Sequence, residues 1–198
     1  MMTSPSLNDR PSLPLKFRGV HHLVLNTDDI RETIDFYWGV LGMPLIHAMK
    51  VPAGVSRGNP PFERLRHYFF DMGNDSMLAF FELPKGAKER ADRDGVAAMQ
   101  HVSFSLSPGQ MDRLVERLDA AGVVRNGPFE AAPGTFSTYF FDPHGIRLEV
   151  SYQVADGEDQ HIVEGFRQSR EQMLAELRTV TEDTAWLDRV TAGLTQEA

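Results

Sequence analysis

The 198-residue chain contains no cysteine. That absence excludes disulfide staples, thiolate zinc sites, iron–sulfur clusters and cysteine nucleophiles together, so any metal on this chain must sit on imidazole, carboxylate and water. Positive charge is also scarce: 20 Lys and Arg stand against 28 Asp and Glu, a formal net charge of −8, and no dense basic run occurs. A phosphate backbone finds little electrostatic support on such a surface, and nucleic acid is not an expected partner. No apolar run approaches the roughly 20 residues that span a bilayer, and the opening MMTSPSLNDRPSLPLK lacks the continuous apolar stretch of a secretory signal. The expectation is a cytoplasmic protein without a membrane partner. What is present is ordinary for a globular protein, with 41% hydrophobic and 24% charged residues, enough to bury a sizeable core.

Residues 1–16, rich in Ser, Pro and Asn, read as a flexible leader. From Gly19 to Asn26 the pattern is that of a strand. Asp29 then caps a helix, Glu32 completes a capping box, and Ile30, Ile34 and Leu41 share one face up to Gly42, which fits the left-handed position after a helix end. Met43 to His47 reads as a return strand. Residues 50–66 carry three prolines and two glycines and form a long loop, followed by strands at His67–Asp71 and Ser76–Leu83. This predicts a first module over 17–84 and a charged linker over 85–97.

The order then repeats. Met99–Leu106 is strand-like, and Ser107, Pro108 and Gln110 supply a capping hydroxyl, an N1 proline and an N3 glutamine. Met111, Leu114, Val115 and Leu118 form an amphipathic face that Gly122 closes. Strands at Thr135–Phe141 and Ile146–Tyr152 flank the turn Asp142-Pro-His-Gly145. From His22 to Gly42 is 20 positions and from His101 to Gly122 is 21; from His22 to Glu82 is 60 and from His101 to Glu149 is 48, the surplus falling largely in the Pro/Gly loop. A diverged internal duplication explains these spacings, with the second module over 98–152. Residues 153–198 carry apolar residues at helical spacing and predict a helical C-terminal arm.

Each module has a His in its first strand and a Glu in its last: His22 with Glu82, and His101 with Glu149. Taken singly, each is an ordinary core histidine or edge glutamate. As matching positions of a repeat they form a ligand set of two imidazoles and two carboxylates, suited to one Zn²⁺, Ni²⁺, Mn²⁺ or Fe²⁺. A glutamate on an apolar strand is costly unless paired, and a metal removes that cost.

These residues resemble the vicinal oxygen chelate superfamily, which includes type I glyoxalases, extradiol ring-cleaving dioxygenases and antibiotic-resistance proteins. The matching residues are His22, Asp29, Phe36-Tyr37 and Leu41-Gly42 in the first module. In the second they are Gln100-His101-Val102 and Asp142-Pro143-x-Gly145-x3-Glu149. The resemblance covers about 17–152 and implies an α+β fold, two βαβββ modules forming a curved mixed sheet around a metal site. It implies His22, Glu82, His101 and Glu149 as metal ligands and a small substrate with adjacent oxygens.

The four-ligand set is similar to that of glyoxalase-type lyases and isomerases, in which a metal-site glutamate moves a proton; Glu149 and Glu82 are both candidates for that base. Asn26 and Gly86 stand where glutathione contacts are found in bacterial glyoxalases, so glutathione recognition has no support. The extradiol dioxygenases need only His22, His101 and Glu149 on Fe²⁺, and Tyr139 falls where that family has a substrate-contacting tyrosine. Their acid/base histidine falls on Glu130, and His67 can replace it only if its strand faces the pocket. The third reading is a non-catalytic protein that sequesters a small molecule. His21 and His144 read as bystanders, and the superfamily's habits together with the apolar arm imply a homodimer.

Overall fold

The computed structural model describes residues 19–50, 66–86, 92–96, 98–156, 162 and 168–194. The leader, most of the Pro/Gly loop and part of the linker fall outside them. The described chain forms two four-stranded mixed sheets of identical topology. In the first, β1 (His22–Thr27), β2 (Leu45–Lys50), β3 (Arg66–Asp71) and β4 (Met77–Glu82) lie in the order β1-β4-β3-β2. In the second, β5 (Val102–Ser105), β6 (Arg125–Ala132), β7 (Thr135–Phe141) and β8 (Arg147–Gln153) lie in the order β5-β8-β7-β6. The first and last strands of each sheet pair in parallel, and a helix connects the first strand to the second in both, as the repeat requires.

The helices follow their sequence signals with two departures. Asp29 caps α1 (Ile30–Ile34) by accepting the Glu32 N–H, but the chain then widens into a π-helical stretch over Asp35–Val40. Gly42 and Gly122, with φ of +79° and +69°, end the two connecting helices in the conformation that disfavours a Cβ. In α2 (Pro108–Ala120) the Gln110 side chain accepts the Ser107 N–H, whereas the Ser107 hydroxyl, expected as the cap, is buried without a partner among the described residues. Among the described residues of the arm are the short helices α3 (Arg170–Leu177) and α4 (Thr184–Thr191), whose Leu174 and Leu187 are buried.

By its contacts the chain divides into two units. One comprises residues 1–101 with 117–124 and 141–147; the other comprises 102–116, 125–140 and 148–198. In the first, Tyr37, Phe70, Leu78 and Phe80 are wholly buried, and the Tyr37 ring lies 4.9 Å from Phe80 and 5.9 Å from Phe70. Pairing puts Phe70 opposite Leu78, and Leu25 opposite Phe80, so these residues share the helix-facing side of the sheet. In the second unit Met111, Leu148, Val150 and Phe140 form the corresponding core, and the Thr138 hydroxyl reaches the Met111 sulfur at 3.5 Å.

β6 is the element that sequence patterning does not reveal. Gly127 and Pro128 interrupt it, and its register shifts against β7 on both sides of Phe129. A glycine and a proline within eight residues erase the period-two signal that marks a strand. Among the described residues no helix is long and apolar enough to cross a membrane.

Candidate functional site

Strand register decides which candidate residues can meet. In the first sheet His22 pairs with Met77 and Glu82 pairs with Thr27, five positions further along. At about 3.3 Å per residue that separates His22 from Glu82 by about 16 Å along the strands. Five is also an odd number, and paired residues share a face, so the two side chains leave opposite sides of the sheet. Glu82 shares the helix-facing side with Thr27 and Phe80, and its carboxylate accepts the Tyr68 hydroxyl at 2.7 Å. The expectation that Glu82 joins His22 as a ligand, or acts as a base beside it, is therefore corrected.

The second sheet shows why spacing misled. There Glu149 pairs with Ser103, two positions after His101. The residue paired two positions after His22 is Ala79, opposite Val24. Ala79, wholly buried, is thus the first-sheet counterpart of Glu149, and Glu82 is the counterpart of Tyr152. An acidic residue at the end of an apolar strand imitated the ligand position from three residues away.

The side of the first sheet away from its helix carries a group of imidazoles. His67 pairs with Phe81 and stacks on it at 4.1 Å, and His47 pairs with Phe69. The Phe69 ring lies 4.1 Å from His67, 5.6 Å from His47 and 5.9 Å from His22. His67 therefore faces the same side as His22, which sequence alone left open. Its Nε2 is buried without a hydrogen-bond partner among the described residues. Burial, with smaller contributions from His22 and His47, lowers His67 below the ordinary histidine value.

The two expected bystanders have structural positions. His21 meets the His22 ring through Nδ1 at 2.7 Å. His144 Nε2 lies 2.9 Å from both Thr27 and Thr33 hydroxyls, and its Nδ1 is 3.5 Å from Asp28. Beside it, Asp142 accepts the N–H groups of His144 and Ile146 and the Tyr37 hydroxyl. Burial raises the Asp142 carboxyl above its ordinary range, and burial together with Asp142 raises Tyr37 well above its own. The Asp-Pro-x-Gly turn is thus a buried polar anchor of the first unit rather than part of a reactive centre.

In the second unit Glu149 is buried, 8% exposed, and lines a cavity of about 400 Å³. Ser151 donates to its Oε1 at 3.0 Å; Ser137 and Ser103 lie 2.9 and 3.3 Å from the Ser151 hydroxyl. Tyr139 alternates with Ser137 along β7 and stacks on Phe129 at 5.9 Å. The serines are functional candidates that the motif search passed over. Their signal was the alternation in Arg147-Leu-Glu-Val-Ser-Tyr-Gln, polar at 149, 151 and 153 and apolar between. His101 is exposed and its Nδ1 is bonded to the Gln100 side-chain oxygen.

Among the described residues, no group of three or more His, Asp or Glu side chains is assembled to hold a metal ion. With Glu82 removed, the donors left from the repeat are two imidazoles, His22 and His101, and one carboxylate, Glu149. By chemistry alone, two imidazoles and one carboxylate are donors that suit a divalent transition metal.

Comparison with known proteins agrees with the topology. The crystal structure of a glyoxylase/bleomycin resistance protein/dioxygenase domain from Frankia sp. EAN1pec matches with a TM-score of 0.58 at 20% identity, over 70% of this chain and 99% of that one. A glyoxalase family protein from Enterococcus faecalis matches with a TM-score of 0.54 at 20% identity, covering 68% and 98% of the two chains. A glyoxalase/dioxygenase from Nostoc punctiforme matches at 0.52 and 22% identity, covering 72% and 99%. At these identities the likeness is one of fold. No curated protein matches the chain by sequence. The family model for the Glyoxalase/Bleomycin resistance protein/Dioxygenase superfamily matches residues 19–150, across both sheets, and the chain belongs to that superfamily.

Proposed function

We propose that this chain is a metal-dependent enzyme acting on a small substrate with adjacent oxygens, with His22, His101 and Glu149 as the protein ligands of one divalent ion. The observation that carries the reading is the register of the two sheets, in which Glu149 has Ala79, not a carboxylate, as its counterpart. Isomerase chemistry of the glyoxalase type calls for a metal-site glutamate free to carry a proton. With Glu82 bonded to Tyr68 on the helix-facing side, Glu149 alone would have to serve as ligand and base. A three-ligand set instead favours the extradiol dioxygenase reading, with Fe²⁺ and oxygen on an aromatic diol. The metal, when bound, polarises substrate oxygens and offers open positions. In this reading the chain orients Glu149 through Ser151, and His67 and Tyr139 are candidates for substrate contact.

The test is purification without oxygen, metal analysis, and a substrate panel. Stoichiometric iron with oxygen uptake on catechols is the expected result. Turnover of a hemithioacetal or α-hydroxycarbonyl without oxygen consumption would return the isomerase reading to first place. The cavity beside Glu149 also favours a second reading, sequestration of a small molecule, which predicts tight binding with no turnover. We also propose a homodimer, to be checked by a sedimentation mass near twice 22.3 kDa.

A further inference from the structure

The turn Asp142-Pro143-His144-Gly145 carries a ring whose charge can be counted from its neighbours. His144 Nε2 lies 2.9 Å from the Thr27 hydroxyl and 2.9 Å from the Thr33 hydroxyl, and the two hydroxyls are 2.7 Å apart. The Thr27 hydroxyl also accepts the Asp29 N–H at 3.0 Å, and the Thr33 hydroxyl donates to the Asp29 carbonyl at 2.9 Å. A hydroxyl has one proton to give and two lone pairs to receive with. With the Thr33 proton on the Asp29 carbonyl, the contact between the hydroxyls is filled by the proton of Thr27. Neither threonine then has a proton left for the ring. Each has one lone pair left, and a hydrogen on His144 Nε2, shared between them, meets both. With a bare Nε2, two of these contacts would close with no proton between them.

The other ring nitrogen completes the count. A neutral ring with its hydrogen on Nε2 turns a bare Nδ1 toward the Asp28 carboxylate 3.5 Å away, lone pair against anion; a second ring proton makes this an ion pair. Asp28 keeps its charge, because the Gly86 N–H donated at 3.0 Å, together with nearby His144, holds its carboxyl below the ordinary range. Among the described residues, the other charged groups beside the ring are Asp142, which accepts the His144 N–H, and the Asp29–Lys85 pair at 3.4 Å, next to Asp28. Tyr37 reaches the same turn through Asp142. The His144 side chain is 13% exposed and that of Asp28 41%, so the ring is enclosed while its partner faces water. All of these residues belong to the first unit, where the ring holds the turn against the joint between β1 and α1.

We propose that His144 is a proton-operated clamp: the doubly protonated ring closes the Asp142–Gly145 turn onto the β1–α1 joint, and loss of the Nδ1 proton to water releases the Asp28 side and loosens the turn. The proton leaves Nδ1 because Nε2 is the nitrogen whose hydrogen the threonines hold. The clamp contains none of the proposed metal ligands and stands or falls apart from the proposed activity. Its test is a pH series on the full chain. Nitrogen-15 NMR follows the charge and tautomer of the His144 ring, and amide hydrogen exchange, corrected for its intrinsic pH dependence, follows the Asp29 and His144 N–H groups on the two sides of the clamp. The neutral ring is expected to keep its hydrogen on Nε2, and protection at both amides is expected to fall about two- to fivefold in step with the ring's own titration, the scale of a partly exposed ion pair. Asp28→Asn removes the anion and should abolish this step while the Nε2 tautomer persists. His144→Gln should abolish it as well; should that variant not fold, Asp28→Asn decides alone. A neutral ring with its hydrogen on Nδ1, protection that follows the Asp142 carboxyl or nothing at all rather than the ring, or an unchanged step in Asp28→Asn overturns the proposal.

Discussion

The two sheets share one strand order and one connection pattern, yet the sides they turn away from their helices have different chemistry. The first presents His22, His47 and His67 around Phe69, with Ala79 and Phe81 between them. The second presents Glu149 in a bed of serines. The buried apolar positions of the helix-facing sides, by contrast, correspond: Leu78 with Leu148 and Phe80 with Val150. Packing holds the duplicated architecture, and the opposite side is free to diverge, because a substitution there does not open a cavity in the core.

Several substitutions can break or sharpen this contrast. The largest effect is expected where the second sheet has its carboxylate: Glu149→Ala should lower any metal-dependent activity by more than about a hundredfold, since even outer-shell partners of metal ligands are worth 10- to 100-fold. A large effect on stability is expected at the Asp-Pro-x-Gly turn. Asp142→Ala removes the acceptor for two backbone N–H groups and the Tyr37 hydroxyl, and should cost about 2–4 kcal/mol in chemical denaturation.

The same carboxyl predicts a pH effect of opposite sign to an ordinary salt-bridged aspartate. Burial raises it above 3.8 in the folded protein, so the folded state holds its proton longer than the unfolded chain. Its contribution to stability is therefore fullest below that value and declines as pH rises through the raised one. Asp142→Asn should flatten this decline, seen by comparing denaturation midpoints across the acidic range. A steeper decline in the variant would contradict the assignment.

The smallest effect belongs to the first sheet's glutamate. Burial and the Glu82 carboxylate together push the Tyr68 hydroxyl up to about 12. Glu82→Gln should bring its ionisation down, visible in an ultraviolet titration, while stability changes by only about 1 kcal/mol.

Much of the fold was legible because its signals are local. Asp29, Gly42, Pro108 and Gly122 mark helix ends, a continuous apolar run marks β4, and polar–apolar alternation marks β8. β6 was illegible because Gly127 and Pro128 break its alternation, and the π-helical stretch over Asp35–Val40 because no local signal distinguishes it from an α-helix. At the candidate site Glu149 stood out in the sequence as a motif residue, and in the fold it is buried and lines a cavity. The site was misread at Glu82 because counting from His22 to the next strand glutamate cannot fix register: a shift of three residues changes the face as well as the neighbour. The serines were missed because no single one is a motif. Only their pairing across β5, β7 and β8 makes them a wall.

The central claim is that the ligand set contains Glu149 and not Glu82. The most direct test is metal content, measured side by side on anaerobically purified wild-type, Glu82→Ala and Glu149→Ala proteins. The account predicts wild-type stoichiometry in Glu82→Ala and loss of most metal in Glu149→Ala; equal loss in both variants, or loss in Glu82→Ala alone, would contradict it.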